Sequence, residues 1–142
     1  MFIVNVEGAI VCENQWLLIK RSEKEDHAGG LLSLVGGKVE SEGNSRDVLE
    51  RTLRREIYEE VGVYVSNLRY VNSSSFISDT GDHVVDIVFL CDFDSGNPFT
   101  KSPDEVDEVF WMTTENILSH SNAPSYLKEN IKMASHLLKK SC

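Results

Sequence analysis

The sequence predicts a mixed α/β domain of the α+β kind, on three observations. Strand-like apolar runs come first, one strongly amphipathic helix sits near residue 55, and further strands and two helical patterns follow it. With 142 residues, 41% of them apolar, and only nine glycines and three prolines, the chain is expected to form one domain over 1–142. No Pro/Gly/Ser-rich linker, low-complexity tract or internal repeat divides it.

Residues 2–12 and 16–20 are rich in Val, Ile and Leu and are separated by Glu13-Asn14-Gln15, so they read as a strand pair joined by a turn. Ser22 to Gly30 is polar and reads as a loop. Leu31–Val35 reads as a short buried strand running into Gly36-Gly37, where the backbone can bend or approach another group closely. From Asp47 to Val61 the period changes, with Leu49, Leu53, Ile57 and Val61 at every fourth position. That is a helix, with Asp47 as its N-cap or first-turn acid and Gly62 as its stop. Val63–Val71, Val84–Asp92 and Val109–Met112 read as strands. Thr114–Ser119 and Ser125–Lys139 read as helices, the second with Leu127, Ile131, Ala134, Leu137 and Leu138 along one side.

Fourteen basic residues against 23 acidic ones give a formal net charge of −9, which disfavours a stable nucleic-acid partner. A small phosphorylated ligand is still compatible, because divalent cations placed between carboxylates and phosphate oxygens reverse the local sign. Cys12, Cys91 and Cys142 are odd in number and widely spaced, so neither a disulfide framework nor a thiolate zinc site is expected. His27, His83, His120 and His136 show no ligand spacing and read as ordinary polar or packing residues. The N-terminus has no basic leader and no 18-residue apolar stretch occurs, so a soluble, cytoplasmic protein without a membrane partner is expected.

The central helix carries acids where an apolar stripe belongs. At about 100° per residue, Glu56 and Glu60 fall about 20° to either side of Leu49, within or beside the core-facing arc, and Glu59 lies on its edge. Glu56 and Glu60 repel as an i, i+4 pair, and all three acids crowd the end of the helix where the dipole disfavours negative charge. Burying unpaired charge is costlier still. Solvated ion pairs with Arg51, Arg54 and Arg55 would explain an ordinary charged face, but not three acids converging on the core side. A hard divalent cation explains both position and repulsion, and oxygen-only ligands favour magnesium or manganese over zinc.

Arg55-Glu56-Ile57-Tyr58-Glu59-Glu60-Val61-Gly62-Val63 resembles the second half of the Nudix box, with every specified position filled, and Gly36-Gly37-Lys38-Val39-Glu40 resembles its opening. Three features depart from the usual pattern. Nine residues separate Gly37 from Asp47, about four more than the family norm, Asp47 replaces the usual glutamate, and Val35 stands where a proline commonly precedes the glycines. The resemblance implies a mixed sheet packed between helices, and a metal site made by Glu56, Glu59 and Glu60 with the Gly37 carbonyl. It further implies that Mg2+ or Mn2+ is the cofactor, that one of the acids doubles as base, and that Arg55 orients the carboxylates. Ser102-Pro103-Asp104-Glu105-Val106-Asp107-Glu108-Val109-Phe110-Trp111 is similar to the region from which many members take a further carboxylate. Glu105 is the choice there and Glu108 the reserve.

Arg21, Lys38, Gly36 and Gly37 are the candidate phosphate contacts. The reaction implied is metal-dependent hydrolysis of the diphosphate linkage in a nucleoside diphosphate joined to another group. An ADP-ribose-like nucleotide-sugar is placed first, because Glu40 and Glu42 in the extended loop would repel a third phosphate, and a nucleoside triphosphate second. A non-catalytic nucleotide-binding module of the same fold is the alternative of another class, though it would be expected to have lost one of the acids. The expected partner is therefore a small nucleotide-diphosphate substrate, with a homodimer as the protein assembly considered.

Overall fold

A computed structural model of the chain describes residues 1–24 and 29–140. His27 and Cys142 lie outside them. The elements run β1 (Phe2–Cys12), β2 (Gln15–Arg21), β3 (Leu32–Ser33), β4 (Val35–Lys38), α1 (Val48–Val61), β5 (Tyr64–Ile77), β6 (His83–Ser95), β7 (Val106–Thr113), α2 (Thr114–Leu118) and α3 (Ser125–Lys140). The seven strands form one mixed sheet between α1 on one face and α2 with α3 on the other, as expected.

The sheet is organised around β1. Along one side β1 pairs in parallel with β6 from Phe2↔His83 to Val11↔Asp92. Its other side is shared: the glycine-bearing β4 pairs with Asn5–Gly8, and β2 with Ile10–Cys12, both antiparallel. β2 also carries β3 and β7, while β5 closes the far edge against β6. Alternation along β1 sends Val6 and Ile10 to the core under α1, packed on Leu53, Ile57 and Val61, and sends Ala9 and Val11 to a second core under α3, with Leu127, Ile131 and Ala134. Both cores thus draw on the periodicities visible in the sequence.

Four local expectations change. The single strand read over Leu31–Val35 is two, because the chain leaves β2 for β1 at Leu34, and Gly36-Gly37 are strand residues rather than a bend. β5 runs on to Ile77 instead of ending at Val71. Asn72–Ser75 lack any apolar alternation, but their backbone is held by the ladder to Val88, Ile87, Asp86 and Val85 of β6. β7 likewise begins at Val106, ahead of the predicted Val109, through its pairing with Arg21 across a bulge.

Asp47 does occupy the N-cap position, but at φ 52° its side chain makes no capping bond. The left-handed backbone replaces the extended conformation that aims a capping oxygen at the first turn, and only the Asp47 carbonyl serves the helix, accepting from Arg51 N–H at 2.9 Å. Gly62 ends α1 as expected, at φ 72°, its N–H donating to the Tyr58 carbonyl at 3.0 Å.

Cys12 and Cys91 are free thiols, and burial pushes Cys91 up to about 12. His83 packs edge-on against Phe2, and His120 Nδ1 accepts from Asn122 N–H at 3.0 Å, both ordinary structural roles. Among the described residues no helix is long and apolar enough to cross a membrane.

Candidate active site

The order of burial along α1 follows the angular position of its acids. Glu60 is 5% exposed, the Glu56 side chain 19% and the Glu59 side chain 51%. The apolar stripe of Leu53, Ile57 and Val61 is fully buried, so it fixes the rotation of the helix and with it the inward aim of Glu60. The arginines that offered alternative partners mostly go elsewhere: Arg51 pairs with Glu42, and Arg54 donates to the Val65 carbonyl at 2.7 Å. Arg55 remains with the acids, its Nη1 3.5 Å from Glu59 Oε1 and 3.8 Å from Glu56 Oε1. One nitrogen between two carboxylates is a looser clamp than a bidentate pair.

Both glycines of β4 are required by close approach. A Cβ at Gly36 would lie 2.0 Å from the Val6 carbonyl oxygen, so any side chain there collides with β1 itself. At Gly37 the obstacle is different, since a Cβ would lie 2.4 Å from Glu56 Cδ and 2.6 Å from its Oε2. The Glu56 carboxyl therefore rests on the bare backbone of β4, which is how the strand and α1 meet at the site.

Burial holds the Glu56 carboxyl above its usual range, opposed by the Arg55 charge and reinforced by Glu59, Glu105 and Glu40. Glu105, exposed just ahead of β7, thus acts on Glu56 from across the site. Glu108, whose register partner is Lys20 on β2, is not among those charges. Glu40 belongs to the same electrostatic cluster, a placement the sequence reading gave only to the extended loop. Glu42 does not join it, because its carboxylate is held by Arg51 and accepts from Ser45 Oγ at 3.3 Å. Lys38 ends β4 exposed to solvent.

Among the described residues no three acidic, His or Cys side chains are already gathered about one point as a closed metal cage. The donor set still fits a hard cation. All its side-chain donors are carboxylate oxygens, one acid is buried, another lies against the space a Cβ would fill, and the cluster is strongly self-repelling without a cation.

On the opposite, α3-facing side of β1 and β6 lies a cleft of about 460 Å³. Arg21, expected as a phosphate contact, lines it. So do Glu7, Asp86, Phe76, Tyr126 and Asn130, none of which the sequence reading singled out. Both the Glu7 and the Asp86 carboxyls are pushed upward first by burial. At Glu7 the neighbouring Asp86 carboxyl adds to this, Glu60 contributes further, and Arg21 opposes. The one available signal was an acid in the middle of each of two otherwise apolar strands, at Glu7 and Asp86.

The chain matches the profile of the NUDIX domain over residues 3–132. It is 30% identical over 106 residues to the NAD-capped RNA hydrolase NudC of Vibrio parahaemolyticus, an alignment covering 73% of this chain and 36% of that protein. The chain spans about a third of the length of the curated relatives it matches. Among solved structures it is similar to a MutT NUDIX hydrolase from Burkholderia pseudomallei, with 27% identity, TM-score 0.79, and coverage of 94% of this chain and 98% of that one. The NUDIX domain of Shewanella oneidensis NrtR, solved in complex with ADP ribose, shares the fold at 18% identity and TM-score 0.77, with coverage of 97% and 89%.

Proposed function

Since the chain belongs to the NUDIX family, we propose that it is a magnesium- or manganese-dependent hydrolase that cleaves the diphosphate linkage of a nucleoside diphosphate joined to a second group. The single observation that carries this reading is the placement of the α1 acids: Glu60 buried, Glu56 seated on the glycine strand and Glu59 at the rim. A hard cation bound to these carboxylates would supply charge neutralisation for the phosphates and would lower the pKa of a water molecule.

Glu56, Glu59 and Glu60 would hold it, and Arg55, within 3.5 Å of Glu59 and 3.8 Å of Glu56, would orient those two carboxylates. One of the acids of the site, with Glu105 on its far side, takes the proton of the attacking water. Arg21, lining the α3-side cleft, and Lys38, at the exposed end of the glycine strand, offer positive charge for phosphate oxygens.

For the second group a sugar of the ADP-ribose kind is the first reading, resting on the acidity of the loop at Glu40. A nucleoside triphosphate is the second, and the pairing of Glu42 with Arg51 favours it, because a neutralised Glu42 no longer repels a third phosphate.

The test is hydrolysis of ADP-ribose, other nucleotide-sugars, dinucleoside polyphosphates and triphosphates by chelator-stripped protein titrated with magnesium. Cleavage that appears only with added metal is expected. Full activity in metal-free protein, or no cleavage of any phosphoanhydride at saturating metal, would overturn the reading.

A further inference from the structure

We infer that Thr52 of α1 is a positioning residue of the acid site, its hydroxyl donating to the Glu56 carboxylate in the arrangement that holds a hard cation. The inference rests on the proposed function and deepens it, because it adds to the α1 acids a neutral partner that aligns one of them.

Its starting point is an orphaned hydroxyl. Thr52 is 1% exposed, and its Oγ1 is buried without a hydrogen-bond partner. A threonine within a helix can turn its hydroxyl back onto the carbonyl four residues earlier, but Thr52 makes no such bond. Bulk water does not reach the group, so only a neighbouring protein group can satisfy it. Left as it is, the hydroxyl costs free energy that a valine of the same shape would not.

Helical geometry names the neighbour. At about 100° per residue from Leu49, Thr52 falls near −60°, between Glu56 near −20° and Glu59 near −80°. It therefore belongs to the face of the acids and not to the apolar stripe of Leu53, Ile57 and Val61. Glu59 is two turns further on. Glu56 is one turn away, at the i, i+4 spacing that brings Cβ atoms to about 5–6 Å. A helical side chain leans towards the N-terminus, so the natural reach of a glutamate at 56 is back over residue 52.

Glu56 has use for such a donor. Its carboxyl lies against Gly37, which offers it no side chain. Arg55 Nη1, 3.8 Å from Oε1, attracts it from beyond hydrogen-bonding distance. Carboxylates that ligate metals are themselves hydrogen-bonded by neighbouring groups, which fix their orientation. A hydroxyl does this without adding charge, so it leaves the negative potential of the cluster to the cation, whereas a lysine at the same place would compete with it.

Thr52→Val removes the hydroxyl and keeps the shape of the side chain. If the hydroxyl only fills space, the variant binds metal as the parent does. If it positions Glu56, the variant keeps its fold and binds metal more weakly, a separation of affinity from stability that a packing role does not produce.

The measurement is Mn2+ binding to chelator-stripped protein, followed by the electron paramagnetic resonance signal of the free ion, with thermal melts alongside. The site is the binding component lost in Glu56→Gln, which sets it apart from ions scattered over an acidic surface. Thr52→Val is expected to weaken that component about tenfold, as loss of a partner to a metal ligand does. Thr52→Ser should retain it, and Thr52→Val added to Glu56→Gln should change nothing further. Unchanged Mn2+ affinity in Thr52→Val would overturn the inference and leave the proposed function standing. If that variant fails to fold, Thr52→Ala against Thr52→Ser decides, and equal affinity in the two would overturn it. Parent protein with no Mn2+ binding that depends on Glu56 would overturn the proposed metal site, and this inference with it.

Discussion

Two neighbouring glycines separate function from stability at the level of single residues. Gly36→Ala drives a Cβ to 2.0 Å from a backbone oxygen of β1, which cannot yield without moving the strand. It is expected to destabilise by about 1–3 kcal/mol, as overpacking does. Gly37→Ala meets a side chain instead, with its Cβ 2.4 Å from Glu56 Cδ, and Glu56 can swing away. It should keep most of its melting temperature and lose activity by roughly tenfold or more, as misplaced catalytic groups do. Thermal melts and turnover measured on both variants decide the matter, and loss of stability without loss of specific activity in Gly37→Ala would refute the role given to Glu56. The acids themselves should behave oppositely to core residues. Glu56→Gln and Glu60→Gln are expected to lower turnover by at least about a hundredfold while leaving the metal-free protein as stable or more stable, since each removes a charge from a repelling or buried site. An apoprotein that unfolds on either change but is fully active when folded would instead mark these acids as structural.

The end of α1 shows how an element is held by another distant in sequence. The last turn contains no basic residue, yet it carries Glu59 and Glu60 against the helix dipole. The segment 97–101 compensates: Phe99 N–H donates to the Val61 carbonyl and Lys101 N–H to the Glu60 carbonyl, each at 3.1 Å. Lys101 Nζ also lies 3.5 Å from the centroid of the Tyr58 ring, which stacks on Tyr64 at 5.0 Å. Gly62 is the joint of this arrangement. At φ 72° it occupies the left-handed region, and a Cβ there would lie 2.6 Å from Phe99 Cε1. Gly62→Ala is therefore expected to cost about 1–2 kcal/mol from the backbone alone, with further loss if Phe99 is displaced. A lowered melting temperature and a weakened apparent magnesium affinity should appear together, because the carbonyl of Glu60, a proposed metal ligand, is tied to the same strap. A melt unchanged from that of the parent would show that the strap does not hold the helix end.

Charge at the scale of the whole molecule predicts an unusual pH dependence. Glu7 and Asp86 both have carboxyls raised by burial, so the folded protein binds their protons more tightly than the unfolded chain does. Their contribution to stability is full at pH below the ordinary carboxylate range and is lost as pH rises through the raised values. The net charge of −9 adds self-repulsion in the same direction. The metal-free protein should thus melt at a higher temperature in mildly acidic buffer than at neutral pH, and Glu7→Gln should flatten that slope by removing one of the two groups. If Glu7→Gln leaves the slope unchanged, the buried pair is not its source.

The sequence by itself determined the α+β class, the central helix and its stop at Gly62, and the identity of the acids that face inward. Each of these follows from a local period or a backbone requirement, which needs no knowledge of distant residues. Helical angle alone already ranked Glu60 and Glu56 as inward and Glu59 as marginal, and their exposures follow that order. Tertiary structure decided what depends on pairing between separated segments. Asn72–Ser75 became strand through their ladder to β6, Leu31–Val35 split because β2 and β1 took its two halves, and Asp47 lost its capping bond to a left-handed turn. The cleft escaped the sequence for the same reason. Glu7 and Asp86 are far apart along the chain, and the parallel register of β1 on β6 puts these two acids on one face, where they line the cleft.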